Sequence, residues 1–204
     1  MTKIQYLFDE AKGCQKCYRD NLIYVPYPDP KNAQETAEIM FVNERPGRIG
    51  TGASGYVSFN NNDPSAMFCK VCFNQLNLDR NLIFITNACL CHPDFPGYTD
   101  KAPTKKEIVN CHEWLYKQIS IMQPELIVTI GGTALKSMRL FFASSEQLKT
   151  FQLKKDIGKV VRDTTPWVYP LYHTSRRGRT HRDAEKQKDD WLKIPSILEE
   201  IKRQ

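Results

Sequence analysis

Four short apolar runs, separated by segments with helical periodicity, constrain the fold of this chain more than any other feature. The runs contain apolar residues throughout instead of alternating with polar ones, and they cover 38–43, 82–90, 126–130 and 167–172. Strands with this pattern are buried on both faces, as in a parallel sheet whose crossover connections are helices. The sequence therefore predicts an α/β fold, a three-layer α/β/α domain over 1–204 with a central, mainly parallel four-stranded sheet.

Capping signals mark where the intervening helices begin. Thr2, Asp63 and Thr104 are candidate N-caps, and Glu107 completes a capping box with Thr104. Pro195 predicts a kink or break in the last helix. The predicted helices cover 2–12, a segment that begins at 63, 103–122, 134–142 and 184–201.

Two further segments are predicted to be irregular. Three prolines between Asn21 and Thr36 predict an extended connection. Residues 45–62 contain four glycines and three successive asparagines without periodicity, which predicts a loop. Loops of this length are usually functional.

Polar residues or glycines lie near the carboxyl end of each of the four predicted strands. They are Asn43 and Glu44, Asn87, the Gly131–Gly132 pair, and the segment His173–Ser175. In parallel sheets ligands bind beyond the carboxyl ends of the strands. We therefore expect these four strand ends to converge on one cleft.

The charge distribution favours an anionic partner, and the N-terminus argues against export. The net charge is +6, and four arginines lie in a short stretch after the last predicted strand. No apolar run reaches the about 18 residues of a transmembrane helix. Lys3, Asp9, Glu10 and Lys12 interrupt the first segment, where a secretory signal would be continuously apolar. We expect a cytoplasmic protein that does not bind membranes.

Seven cysteines in such a chain indicate metal ligation, because disulfides rarely persist in the cytosol. Cys14 and Cys17 form a CxxC pair in a loop, Cys91 follows the second strand, and Cys111 lies in the next helix. Four thiolates at these positions suit zinc or an iron–sulfur cluster, and they would tie the N-terminal helix to the body of the fold. The absence of any metal is the remaining alternative.

A second possible ligand set uses Cys69 and Cys72 as a partner for the first CxxC pair, in a zinc site. These two cysteines lie within an apolar helical segment, and 51 residues separate the two pairs, more than a compact zinc ribbon uses. Free cysteine is commonly buried as a small apolar residue. We expect Cys89, within the second strand, to be a core residue for the same reason.

The order of these segments is similar to a known family. The match comprises the first CxxC pair and the segments 41–47, 85–91, 111, 124–131 and 172–175. In this order they resemble the uracil-DNA glycosylase superfamily, in particular its iron–sulfur branches, families 4 and 5. The resemblance implies a [4Fe–4S] cluster on Cys14, Cys17, Cys91 and Cys111. It also implies hydrolysis of the N-glycosidic bond of a damaged base in DNA, with uracil as the leading substrate.

The chemistry of such an enzyme assigns roles to individual residues. The base must leave the helix stack and enter a pocket, where Phe59 is a candidate to stack on it and Asn87 to bind its edge. His173 is a candidate hydrogen-bond donor to the departing base, and Glu44 to position water or stabilise the cationic sugar. Contacts with DNA phosphates are expected from Arg176, Arg177 and Arg179.

Two departures from the family pattern leave alternatives open. Family 4 usually has Gly-Glu-Ala-Pro-Gly where this chain has 43–47, so the cationic Arg45 is expected beside the reaction centre. The usual His-Pro-Ser is here His-Thr-Ser at 173–175. We expect a monofunctional glycosylase that acts on DNA as a monomer. A hypoxanthine or xanthine glycosylase, a non-catalytic DNA-binding protein on the same scaffold, and an electron-transfer protein are the alternatives.

Overall fold

The computed structural model describes residues 1–19 and 22–204. The helices are α1 Lys3–Lys12, α2 Thr51–Ser54, α3 Pro64–Asn74, α4 Lys105–Met122, α5 Gly132–Phe141, α6 Glu146–Thr150, α7 Leu153–Asp156, α8 Arg176–His181, α9 Ala184–Trp191 and α10 Ile194–Lys202. The strands are β1 Ile23–Tyr24, β2 Tyr27–Pro28, β3 Ile39–Asn43, β4 Tyr56–Val57, β5 Ile83–Asn87, β6 His92–Pro93, β7 Leu126–Ile130 and β8 Trp167–Leu171.

The central sheet has four parallel strands in the order β5–β3–β7–β8. Every residue of β5, β7 and β8 is buried, as is all of β3 except its last residue, Asn43. Burial on both faces explains why these strands are mainly apolar and do not alternate with polar residues. The predicted fold class is confirmed.

Separate apolar clusters cover the two faces of the sheet. Phe8 of α1, Leu115 of α4 and Met138 of α5 belong to the cluster on one face. Cys72 of α3, Trp191 of α9 and Ile197 of α10 belong to the cluster on the other. The sheet is thus the middle of three layers, and α1 joins the body by packing its apolar side into the same cluster as α4.

The predicted caps form as expected from the sequence. The Thr2 hydroxyl accepts a hydrogen bond from the Gln5 amide, and Thr104 and Glu107 form a reciprocal capping box. Asp63 caps α3. These signals are local in the chain, which is why the sequence alone revealed them.

Irregular segments contain more structure than predicted. Residues 45–62 hold the single turn α2 and strand β4, which pairs with β2 in parallel. The arginine-rich stretch forms α8, which Ser175 caps. The closing segment is divided into α9 and α10, with Pro195 in the first turn of α10, where its missing N–H costs little.

Asn21, the first residue of the predicted extended connection, lies outside the described residues; the later part of that connection contains β1 and β2. In the part of the chain that the structure describes, no helix is both long and apolar enough to cross a membrane.

Candidate active site

A cavity of about 780 Å³ lies at the carboxyl ends of the sheet strands. All four strand ends that the sequence singled out contribute to its wall. The predicted site residues on this wall are Glu44, Phe59, Asn87, His173 and Arg177. The expected convergence is therefore present in the structure.

Glu44 directly follows β3, and a hydrogen bond from α5 fixes its side chain. The Thr133 hydroxyl, in the first turn of α5, donates a hydrogen bond of 2.6 Å to Glu44 Oε2. This bond orients the carboxylate at the cavity wall. Thr133 was not predicted as a site residue, although it directly follows the glycine pair at the end of β7.

His173 is held as a neutral ring whose free nitrogen can donate. The Ser175 amide donates to His173 Nδ1 at 3.1 Å, so Nδ1 carries no proton and the neutral ring carries it on Nε2. Burial lowers the pKa of His173, while the charges of Glu44 and Asp63 oppose that effect. The neutral His173 ring, with its Nε2–H donor, therefore lines the same cavity as the Glu44 carboxylate.

Two glycines make room for His173. Gly131 has φ of 96°, and a Cβ atom there would lie 3.0 Å from the Cβ of His173. A Cβ atom at Gly178 would lie 1.7 Å from the carbonyl oxygen of His173. Since neither approach is compatible with a side chain, these glycines allow β8, α5 and α8 to meet at the histidine.

Asn87 presents an unpartnered amide to the cavity. The residue is only 3% exposed, and its Nδ2 atom has no hydrogen-bond partner among the described residues. A buried donor without a partner costs free energy, about 1–3 kcal/mol. A buried amide nitrogen without a partner at a cavity wall, such as Asn87 Nδ2, indicates a group that forms a hydrogen bond with a ligand.

Phe59 is fixed by an aromatic cluster behind the cavity. Its ring centroid lies 5.4 Å from that of Phe41 in an edge-on arrangement, and 6.0 Å from that of Trp191. Phe73 completes the cluster at 5.7 Å. Such packing leaves the ring little freedom, so that Phe59 forms a rigid apolar surface on the cavity wall.

The three arginines predicted to contact DNA have different environments. Arg176 and Arg177 are exposed, and Arg177 borders the cavity. Arg179 is partly buried, donates to the Thr174 carbonyl oxygen at 2.5 Å, and stacks on Phe68. Its guanidinium is thus engaged in holding the segment after β8, and its contact with DNA stays a prediction.

The sequence predicted that the positive charge of Arg45 lies beside the reaction centre. In the structure this charge is directed at other side chains. The Arg45 side chain is 5% exposed and donates to the Tyr98 hydroxyl at 2.6 Å and to the Glu107 carboxylate. Tyr18 donates to the same carboxylate at 2.6 Å. The guanidinium is therefore neutralised by α4 at the edge of the cavity, and it does not oppose the role predicted for Glu44.

The four predicted cysteine ligands have free thiols. Cys111 belongs to the apolar cluster of α1 and α4, and Cys14 and Cys91 pack against that cluster. Asn110, the neighbour of Cys111 on α4, donates a hydrogen bond of 3.3 Å to Cys17 Sγ. Cys89 is fully buried in the same apolar cluster, as expected of a core residue. This all-thiol donor set fits a thiolate-bound cluster or zinc. Within residues 1–19 and 22–204, the structure contains no group of three or more Cys, His, Asp or Glu side chains arranged to bind a metal ion.

The other CxxC pair lies far from this arrangement. Cys69 and Cys72 are buried on α3, on the opposite face of the sheet from α1. The Cys69 thiol lies 3.2 Å from the Thr174 hydroxyl. Burial raises the pKa of both thiols to about 12, as for small apolar residues of the core.

Comparisons with known proteins agree with this geometry. The model of the uracil DNA glycosylase superfamily matches residues 30–195. The type-4 uracil-DNA glycosylase of Saccharolobus solfataricus is 28% identical over 85% of this chain and 76% of its own length. That of Sulfurisphaera tokodaii is 30% identical over 85% of this chain and 74% of its own length. A crystal structure of wild-type SMUG2 from Pedobacter heparinus covers both chains completely, with a TM-score of 0.60 and 13% identity.

Proposed function

The chain belongs to the uracil DNA glycosylase superfamily, and we propose that it is a monofunctional glycosylase that hydrolyses the N-glycosidic bond of uracil in DNA. The observation that carries this proposal is the unpartnered Asn87 amide in the same cavity as the neutral His173. One group reads a base edge, and the other supports a departing base. The names of the relatives, type-4 uracil-DNA glycosylases, support the choice of base.

Recognition of the base follows from the donor and acceptor groups of Asn87. A side-chain amide offers one donor and one acceptor, which complements the carbonyl oxygen and N–H of uracil. Cytosine has an amino donor at the position of that carbonyl, and this donor would face the amide nitrogen. The base reaches the cavity only if its nucleotide leaves the duplex stack, and Phe59 then supports one face of the ring.

Bond cleavage relies on His173 and Glu44. As the bond between C1′ and the base nitrogen breaks, its electron pair moves to the base, and the Nε2–H of His173 donates to a base oxygen. The sugar becomes cationic, and the Glu44 carboxylate stabilises it and orients the attacking water. The water oxygen bonds to C1′, and its proton passes to the carboxylate.

DNA phosphates are bound by the basic segment after β8. Arg176 and Arg177 are exposed, and Arg177 borders the cavity, so that their guanidinium groups are available to the backbone of the substrate strand. Arg179 fixes this segment through the Thr174 carbonyl oxygen. We further propose that the protein acts on DNA in the cytoplasm as a monomer.

Cys14, Cys17, Cys91 and Cys111 are proposed to hold a [4Fe–4S] cluster, with zinc as the alternative. The bound group would supply covalent cross-links between the segment after α1, the segment after β5, and α4. Its proposed role is thus to hold the N-terminal helix against the body of the domain. Visible absorbance of anaerobically purified protein distinguishes the cluster from zinc.

Strand cleavage by alkali tests the proposed activity. Labelled oligonucleotides that carry one uracil, hypoxanthine or xanthine are incubated with excess enzyme, beside Asn87→Ala and His173→Ala. We expect cleavage at uracil that is lost in both variants. Cleavage only at another lesion would change the substrate, and binding of DNA without any cleavage would contradict the enzymatic function.

A further inference from the structure

We propose that Asp63 is a second carboxylate of the active site, which faces the sugar of the flipped nucleotide and stabilises its positive charge during cleavage. This inference rests on the proposed function. Asp63 borders the same cavity as Glu44 and His173. The sequence suggested only that it caps a helix.

The capping role occupies just one of the two carboxylate oxygens. Asp63 Oδ1 accepts hydrogen bonds from the amides of Ser65 at 3.0 Å and Ala66 at 3.1 Å. Both capping bonds end on this oxygen. The cap thus fixes the orientation of the carboxylate, and Oδ2 takes no part in it.

The loop that carries Glu44 makes room for that second oxygen. A Cβ atom at Gly50 would lie 2.0 Å from Asp63 Oδ2. The absence of a side chain at this position therefore lets the loop after β3 and the start of α3 come together at the carboxylate. This contact brings Asp63 into the same site as Glu44 from a different element of the fold.

Asp63 also lacks the counter-ion that other shielded aspartates have. Asp29 pairs with Arg80, and Asp190 pairs with Arg182. Among the ion pairs of the described residues, none includes Asp63. A carboxylate without a counter-ion repels the phosphates of bound DNA, so its presence in such a site needs a reason. The sugar becomes positively charged as the base departs, and the carboxylate then stabilises that charge.

Glu44 and Asp63 act on the same histidine. Both line the cavity together with His173, and the negative charges of both favour its protonation. One oxygen of Glu44 is engaged by Thr133. A second carboxylate increases the negative potential around the sugar without a contact to the departing base.

Asp63→Asn tests the charge while it keeps the shape and the capping oxygen. Asp183→Asn is the matched control, since Asp183 caps α9 through the Lys186 amide and lies outside the cavity. Single-turnover excision of uracil from single-stranded DNA is measured for both. We expect Asp63→Asn to be slower by about 100-fold, as for loss of a group that stabilises transition-state charge, and the control to be unchanged.

Further readouts separate a charge effect from a structural one. Asp63→Ser retains a capping hydroxyl, so it is expected to fold, to bind abasic DNA normally and to be as slow as Asp63→Asn. The NMR-measured pKa of His173 is expected to fall in both variants. Normal excision by folded Asp63→Asn would overturn the proposal. If the wild-type protein excises no base, the proposed glycosylase function is wrong. If the wild type excises uracil and folded Asp63→Asn does so at the same rate, only the proposal for Asp63 is wrong.

Discussion

The guanidinium of Arg45 donates a hydrogen bond to the carboxylate of Glu107 and forms an ion pair with it. This contact joins the loop after β3 to α4, the helix that contains Cys111. The two side chains are 5% and 12% exposed. Tyr18, next to Cys17, donates to the same carboxylate. The ion pair therefore connects the loop that bears Glu44 with the region of the proposed cluster.

Loss of Arg45 is expected to destabilise the fold strongly. Arg45→Ala leaves a shielded Glu107 carboxylate without its main counter-ion, which costs about 3 kcal/mol in the free energy of unfolding. Arg203→Ala breaks an exposed pair with Glu199 and is expected to cost less than about 1 kcal/mol. Urea unfolding measures both values, and equal effects would show that the Arg45 pair contributes no more than a surface pair.

The two glycines after β7 are expected to differ in their tolerance of a side chain. Gly131→Ala forces a residue with positive φ against His173 and should reduce both stability, by about 1–2 kcal/mol, and uracil excision. Gly132→Ala has no heavy atom within 4 Å of the new Cβ and begins a helix. We expect it to retain activity. Thermal unfolding and single-turnover rates compare the two, and equal rates would contradict the packing argument.

Stability is expected to decrease at acid pH in part because of His173. Burial lowers its pKa in the folded state below the ordinary value of 6.5, so the unfolded chain gains the proton first. This contribution is complete above about pH 6.5 and is lost as the pH falls from there to the folded-state pKa. The free energy of unfolding of His173→Gln should vary less over that window than that of the wild type. Parallel pH curves for the two proteins would refute the assignment.

Arg177 is expected to contribute to DNA affinity without selecting the base. Arg177→Ala should weaken binding of uracil-containing and undamaged oligonucleotides alike, and reduce the slope of log K against log salt by about 1. Arg203→Ala, at the end of α10, is the control for a general loss of positive charge. Fluorescence anisotropy at several salt concentrations provides the slopes. An unchanged slope in Arg177→Ala would place that residue outside the phosphate contacts.

The sequence by itself determined the sheet, the caps and the strand ends that form the site. Apolar runs report burial on both faces, and the bonds of Thr104 with Glu107 span only three residues, so short segments contain the whole signal. Asn87 and His173 were accessible for the same reason, because parallel strands bring their carboxyl ends to one edge of a sheet.

The tertiary structure alone decided how the charged groups around the site are used. Arg45 turns towards Glu107, which lies 62 residues away in the chain, and Asp63 meets a loop that begins before Gly50. A charge acts on whatever lies within a few ångströms, and those neighbours come from distant segments that only the folded chain brings together. The local sequence therefore identified Asp63 as a helix cap, while its second oxygen acquired a role only through folding.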